Sequence, residues 1–122
     1  DGFRELEKRM LHEVGDFEDV VISVGGGTPC FFDNMDYMNQ MGETIFLDAG
    51  VKVLFRRLKV AKQQRPLLAE KTDEELMTFI VEALQKRLPF YTKAKHVFNG
   101  EQLEDRHQIQ QSVERLKELL NL

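Results

Sequence analysis

The chain has 122 residues, of which 42% are hydrophobic and 31% charged, and a net charge of −4. These values fit one ordinary globular domain and exclude a disordered chain; no apolar stretch approaches the ~20 residues that cross a membrane. The acidic balance argues against a general nucleic-acid binder, and the single cysteine, Cys30, cannot close an internal disulfide, so a reducing cytoplasm is the simplest setting.

The opening Asp1-Gly2-Phe3-Arg4 is acidic and helical in pattern, unlike a secretory leader. Phe3, Leu6, Met10, Val14 and Phe17 recur at three- and four-residue spacing, which predicts an amphipathic helix with that stripe inward. The β-branched run Val20-Val21-Ile22-Ser23-Val24 predicts a short buried strand. Gly25-Gly26-Gly27 follow at its carboxyl end, where the lack of Cβ atoms lets backbone or ligand approach closely. Asp33 or Asn34 is placed to cap a short helix carrying Met35, Met38 and Met41, with Gly42 past its end. Thr44–Asp48 reads as a second strand. Val51, Leu54, Phe55 and Leu58 then share one face of a helix. The polar run Lys62–Pro66 is a loop. Thr72 and Glu75 form a capping box that opens a helix with Leu76, Phe79, Ile80, Ala83 and Leu84 inward, and this helix is expected to stop before Pro89. His96–Asn99 is a third strand. Asp105 and Gln108 resemble a second capping box, opening a last helix with Ile109, Val113, Leu116 and Leu120 inside. Strands alternating with helical crossovers predict an α/β fold with a parallel sheet.

Charge is unevenly spread. Between Lys52 and Lys71 there are seven basic residues against one acid, Glu70. A local basic patch on an acidic protein suits a compact anion such as a polyphosphate.

Four short motifs occur in order: Phe3-Arg4-Glu5-Leu6-Glu7, Gly25-Gly26-Gly27, Arg65-Pro66-Leu67-Leu68 and Arg87-Leu88-Pro89-Phe90-Tyr91. Together they resemble shikimate kinase, a small P-loop kinase family of aromatic amino-acid biosynthesis, and the resemblance covers essentially the whole chain as one domain, residues 1–122. It implies a three-layer P-loop-kinase-like fold, of which about three strands are expected here. The activity it implies is ATP-dependent transfer of phosphate to the 3-hydroxyl of shikimate, with Mg²⁺, by a cytoplasmic and usually monomeric enzyme that needs neither nucleic acid nor membrane. Arginine forks match a planar carboxylate, and the resemblance makes Arg4 and Arg87 the pair that holds shikimate's carboxylate. Glu7 is then the acid that orients them, and Gly25, Gly26 and Gly27 are the wall along the ring. Arg65 is the catalytic and ATP-binding arginine of a lid over roughly residues 60–74. Arg57 is the match for an arginine that stacks on adenine, with Arg56 or Lys59 as alternatives.

One departure is large. No GxxxxGK[ST] phosphate loop occurs, and Gly-Lys is absent altogether. By the resemblance, the chain is expected to start inside the domain, without the central P-loop strand, its Mg²⁺ ligands and the aspartate that receives the substrate hydroxyl. The strands at 20–24 and 44–48 would then either pair directly or stay apart, and each unpaired buried backbone group costs about 1–3 kcal/mol. Alone, such a chain is expected to be marginally stable and inactive. Two other readings stay open: a gluconate- or nucleotide-type P-loop kinase, and a non-catalytic kinase-like module that binds a carboxylate ligand or a partner protein.

Overall fold

The structure, a computed structural model, describes residues 2–66 and 68–122. Asp1, and Leu67 of the Arg65–Leu68 motif, lie outside the described residues. In chain order it contains α1 (Gly2–Val14), a 3-10 turn (Thr28–Cys30), α2 (Asn34–Met41), β1 (Ile45–Asp48), α3 (Val51–Ala61), a second 3-10 turn (Lys62–Gln64), α4 (Asp73–Tyr91), β2 (His96–Asn99) and α5 (Arg106–Leu119). The chain divides into two compact units, one of Asp1–Phe46 with Arg87–Val97 and one of Leu47–Lys86 with Phe98–Leu122.

The sheet pairs β1 with β2. His96 N–H donates to Thr44 O at 3.0 Å and Gly100 N–H to Asp48 O at 2.7 Å. The pairing advances in the same direction along both strands, so they are parallel, as expected for strands joined by helical crossovers. The fold is α/β, but two strands form among the described residues rather than three. Val20–Val24 is exposed and forms no strand, and among the described residues no strand pairs with it. Its β-branched composition favours an extended backbone, yet a strand exists only through its ladder, and direct pairing with β1 does not form.

In the second unit the core is Leu68, Leu76 and Ile80, packed against Val51, Leu54, Phe55, Leu58 and Leu84. The inward face expected for α3 is the one observed. Burial of Leu68, Leu76 and Ile80 contributes about 1.5–3 kcal/mol each. The start of α4 is held by the reciprocal box: Thr72 N–H donates to Glu75 Oε1 at 3.0 Å, and Glu75 N–H donates to Thr72 Oγ1 at 3.2 Å. The Thr72 N–H bond first, and the Thr72 hydroxyl beside it, hold the Glu75 carboxyl below the ordinary glutamate range. The cap of α5 is also present, with Gln108 N–H donating to Asp105 Oδ1 at 2.8 Å. The expected inner face of α5 is only partly so, with Leu116 and Leu120 half-buried. Ile109 and Val113 are exposed, while Ser112 is buried and donates to Gln102 O at 2.8 Å. The helical period of α5 is right, but a polar contact to the preceding loop sets its rotation.

In the first unit, Leu11, Pro29 and Met35 are buried apolar residues among those described. The stripe expected inward on α1 is instead exposed at Phe3, Leu6 and Met10, as is Phe17 beyond the helix end. His12 stacks on Tyr37 with ring centroids 3.7 Å apart, and Tyr37 O–H donates to His12 O at 3.2 Å. A second correction concerns Pro89, which lies inside α4 rather than beyond it. Proline forfeits its own N–H bond to the carbonyl four residues earlier. In compensation the extra turn carries Tyr91, whose hydroxyl donates to Gly26 O at 2.5 Å and whose ring lies 5.1 Å from that of Phe46.

Candidate functional site

The first unit gathers Arg4, Glu7, the three glycines and Arg87. Arg4 and Glu7 are one turn apart on α1, and Arg4 Nη1 donates to Glu7 Oε1 at 2.8 Å. Thr28, buried at 3% exposure directly after the glycines, donates from Oγ1 to Glu7 Oε2 at 2.8 Å. Each oxygen of the Glu7 carboxylate therefore has a partner. Burial opposes ionisation of Glu7 more than any other single influence. The hydrogen bonds from Arg4 and Thr28 and the Arg4 charge together outweigh it, and the carboxyl is held below the ordinary glutamate range. The Arg4 guanidinium also lies 4.1 Å from the centroid of the Phe31 ring and 5.1 Å from that of Phe3.

The glycines act through space rather than through unusual dihedrals, because no glycine in the described chain has positive φ. A Cβ at Gly27 would fall 2.8 Å from Arg4 Nη2, and a Cβ at Gly26 would fall 2.7 Å from Arg87 Nη1 and 3.2 Å from Tyr91 Oη. A Cβ at Gly25 would meet only Thr28 Oγ1, at 3.5 Å, an ordinary contact. Gly26 and Gly27 are thus the glycines that admit a guanidinium each, and Gly25 is not. Arg87, half-buried, makes no hydrogen bond or ion pair among the described residues.

Cys30 is half-buried and its Sγ lies 4.0 Å from Gly26 O. Burial pushes its thiol up, against the pull of Arg87 first and Arg4 second, so it stays protonated at neutral pH. Phe32 follows with φ 51°, a left-handed conformation uncommon for a bulky residue, between extended Phe31 and the start of α2. This turn lets Phe31 lie on Arg4 while Lys8 Nζ sits 5.0 Å from the centroid of the Phe32 ring.

The sequence reading missed Thr28, Tyr91 and Cys30 as neighbours of the arginines. The Tyr91 signal was present, since it stands four residues after Arg87 on the same helix face. Nothing local marks Thr28, because its partner Glu7 is far away in sequence.

The second unit holds the remaining basic candidates. Arg57 Nη2 donates to Glu101 O at 3.0 Å and to Glu104 Oε1 at 3.3 Å, and Arg56 reaches the same Glu104 oxygen at 2.5 Å. The Arg56 hydrogen bond is the main influence holding the Glu104 carboxyl below its ordinary range, with Arg57 adding to it. Lys59 pairs with Asp73 at 3.0 Å, and Lys62 Nζ donates to Lys71 O at 2.9 Å, so both ends of segment 60–74 are tied down. Arg65 is exposed within it. Its N–H donates to Lys62 O, its carbonyl accepts from Leu68 and Ala69, and its guanidinium makes no hydrogen bond or ion pair among the described residues. The basic cluster is thus partly neutralised, with Arg65 left uncommitted. Among the described residues no group of three or more His, Cys, Asp or Glu side chains gathers to hold a metal ion, and no helix is long and apolar enough to cross a membrane.

The family model described as shikimate kinase matches residues 1–117. A shikimate kinase of Phocaeicola vulgatus is 71% identical over 121 residues, covering 99% of this chain and 69% of the relative. One from Bacteroides fragilis is 66% identical over 121 residues, covering 99% of this chain and 68% of its own length. A crystal structure of shikimate kinase from Bacteroides thetaiotaomicron superposes with a TM-score of 0.96 at 64% identity, over 99% of this chain and 69% of that one. Motifs, fold and relatives converge: the chain belongs to the shikimate kinase family.

Proposed function

We propose that this chain supplies the shikimate-holding and lid elements of an ATP-dependent kinase that phosphorylates the 3-hydroxyl of shikimate, in a single domain with the three-layer architecture of its family. One observation carries the reading. Two arginines from different helices, Arg4 and Arg87, lie against adjacent glycines, with Nη atoms 2.8 Å and 2.7 Å from where the Cβ atoms of Gly27 and Gly26 would be. Two guanidinium forks that converge on one loop suit a single planar carboxylate, because each offers paired N–H donors in a fixed geometry. Glu7 and the ring of Phe31 set the orientation of the first fork. Gly25, Gly26 and Gly27 form the wall beside the bound ring.

Phosphoryl transfer depends on positioning and on positive charge at the moving group. Arg65 supplies that charge when segment 60–74 closes, as a catalytic and ATP-binding residue, and closure excludes water. Arg57, anchored through one nitrogen by the 101–104 loop, keeps its planar faces for stacking on adenine. Mg²⁺ accompanies ATP in this chemistry, but the described residues gather no ligand set that fits it. A cytoplasmic setting accords with a protonated, unpaired Cys30.

The test is shikimate-dependent ADP release by the full natural polypeptide carrying this sequence, with both substrates varied. Arg87→Ala should raise the KM for shikimate at least thirty-fold, on the order of the loss of a charged hydrogen-bonded pair, and leave the KM for ATP nearly unchanged. Arg65→Ala should instead lower kcat. An unchanged shikimate KM in Arg87→Ala would refute the carboxylate reading.

A further inference from the structure

We propose that Thr28 and Asn34 are positioning residues for Arg4, completing with Glu7 a relay that fixes the guanidinium against Gly27. The inference rests on the reading that Arg4 holds the substrate carboxylate, and it extends that reading to residues outside the four motifs.

The relay has three bonds. Asn34 Nδ2 donates to Thr28 O at 2.9 Å, Thr28 Oγ1 donates to Glu7 Oε2 at 2.8 Å, and Arg4 Nη1 donates to Glu7 Oε1 at 2.8 Å. Burial falls off along it in the same order. Asn34 is 0% and Thr28 3% exposed, while the side chains of Glu7 and Arg4 are 19% and 24% exposed. The relay thus runs from the buried start of α2 to a guanidinium at the surface of the first unit.

The helix pair cannot fix Arg4 unaided. An ion pair one turn apart on a helix surface is weak, and both side chains are long and rotamer-rich. Thr28 removes the slack, because a second hydrogen bond on the other carboxylate oxygen stops Glu7 from rotating about its terminal bond. Threonine suits the task. Its β-branch restricts χ1, so the hydroxyl has few places to go once the backbone is set. That backbone is set from both sides, by Thr28 N–H donating to Gly25 O at 3.1 Å and by Asn34 on the carbonyl. The loop that makes room for the guanidinium therefore also holds its counter-ion.

Asn34 shows that its bond matters. Its Oδ1 is buried without a hydrogen-bond partner among the described residues. A buried acceptor left unpaired is costly, and an apolar residue of similar size would avoid the cost. An asparagine kept in such a place is explained by the bond its other amide atom donates to Thr28.

The experiment uses the full natural polypeptide carrying this sequence and varies both substrates for Thr28→Val, Thr28→Ser, Asn34→Ala and Arg4→Lys. Thr28→Val keeps the shape and removes only the hydroxyl. It should raise the KM for shikimate roughly ten-fold, the scale of one lost hydrogen bond to a charged group, and leave the KM for ATP within two-fold. Thr28→Ser should restore the shikimate KM, and Asn34→Ala should raise it by a smaller factor. If Arg4→Lys raises the shikimate KM and Thr28→Val does not, the relay is overturned while the carboxylate reading stands. If Arg4→Lys leaves it unchanged, the carboxylate reading itself fails. A rise in both KM values that serine does not rescue assigns Thr28 a merely structural role and overturns the proposal. Should Thr28→Val lose its cooperative melt, Thr28→Ser against Thr28→Ala isolates the same hydroxyl and decides by the same split in KM.

Discussion

Replacing Gly27 by alanine separates stability from binding, because the structure assigns the two effects opposite signs. Gly27 has φ −87° and ψ −17°, a right-handed conformation that alanine adopts readily. Restricting the unfolded chain at such a position stabilises a protein by about 0.4–1 kcal/mol. The new Cβ would lie 2.8 Å from Arg4 Nη2, 3.0 Å from Nη1 and 3.2 Å from Cζ. All three atoms belong to the far end of a flexible side chain, so the backbone need not move, but the guanidinium must retreat by about 0.6 Å to reach ordinary contact. It has little room to do so in place, with Glu7 Oε1 at 2.8 Å on one edge and the Phe31 ring at 4.1 Å on one face. A misplaced fork loses one charged hydrogen bond to a carboxylate, about 1.5–3 kcal/mol, or roughly ten- to more than a hundredfold in affinity. Shikimate titration by calorimetry and a thermal melt on the same sample read both effects. Gly27→Ala should melt at or slightly above the parent temperature and bind shikimate at least ten-fold more weakly. Gly25→Ala, whose Cβ would meet only Thr28 Oγ1 at 3.5 Å, should bind near normally. Equal affinity in the two alanine variants would refute the view that glycine is required to make room for Arg4.

Three further outcomes follow from the same contacts. The Glu7 carboxyl is held below its ordinary range by Arg4 and Thr28, so its contribution is fully present above the ordinary glutamate range and is lost as pH falls through the lower folded-state value. Glu7→Gln should remove that acid-side loss from a pH series of melting points; an identical series in the variant means another group titrates. Tyr91→Phe deletes the 2.5 Å bond to Gly26 O and should cost about 0.5–1.5 kcal/mol in denaturant unfolding, whereas an unmoved midpoint assigns that bond no net worth. Leu76→Ala empties a position with 0% exposure in the core of the second unit and should cost about 2–5 kcal/mol, so a loss below about 1 kcal/mol would show that α3 and α4 collapse into the space.

The features legible in the sequence are those fixed by near neighbours along the chain. Thr72 and Glu75 form their box because both partners sit within one turn. Asp105 caps α5 for the same reason. The inward face of α3 is legible because the residues it packs on lie in the next helix and the loop before it. Val20–Val24 was misread because composition sets backbone preference but cannot supply a partner strand. Pro89 was misread because the local cost of proline is met by Tyr91, whose contacts to Gly26 and Phe46 are remote in sequence.

The candidate site divides along the same line. Arg4, Glu7, Arg87 and the glycines stand out as motifs, whereas Thr28, Asn34 and Cys30 acquire meaning only when α1, the glycine loop and α2 come together. The glycines themselves show why a motif is less informative than a contact. Three identical residues in a row suggest one shared role, and left-handed dihedrals are the usual reason for glycine. No glycine here uses that freedom, and the three differ in what a Cβ would meet: a hydroxyl at ordinary distance for Gly25, a guanidinium and a phenol for Gly26, a guanidinium for Gly27. The requirement for glycine therefore lies in the side chains of Arg87 and Arg4 rather than in the loop. It follows that truncating Arg4 should make Gly27→Ala neutral for binding, a coupling that a purely conformational role of the glycine would not produce.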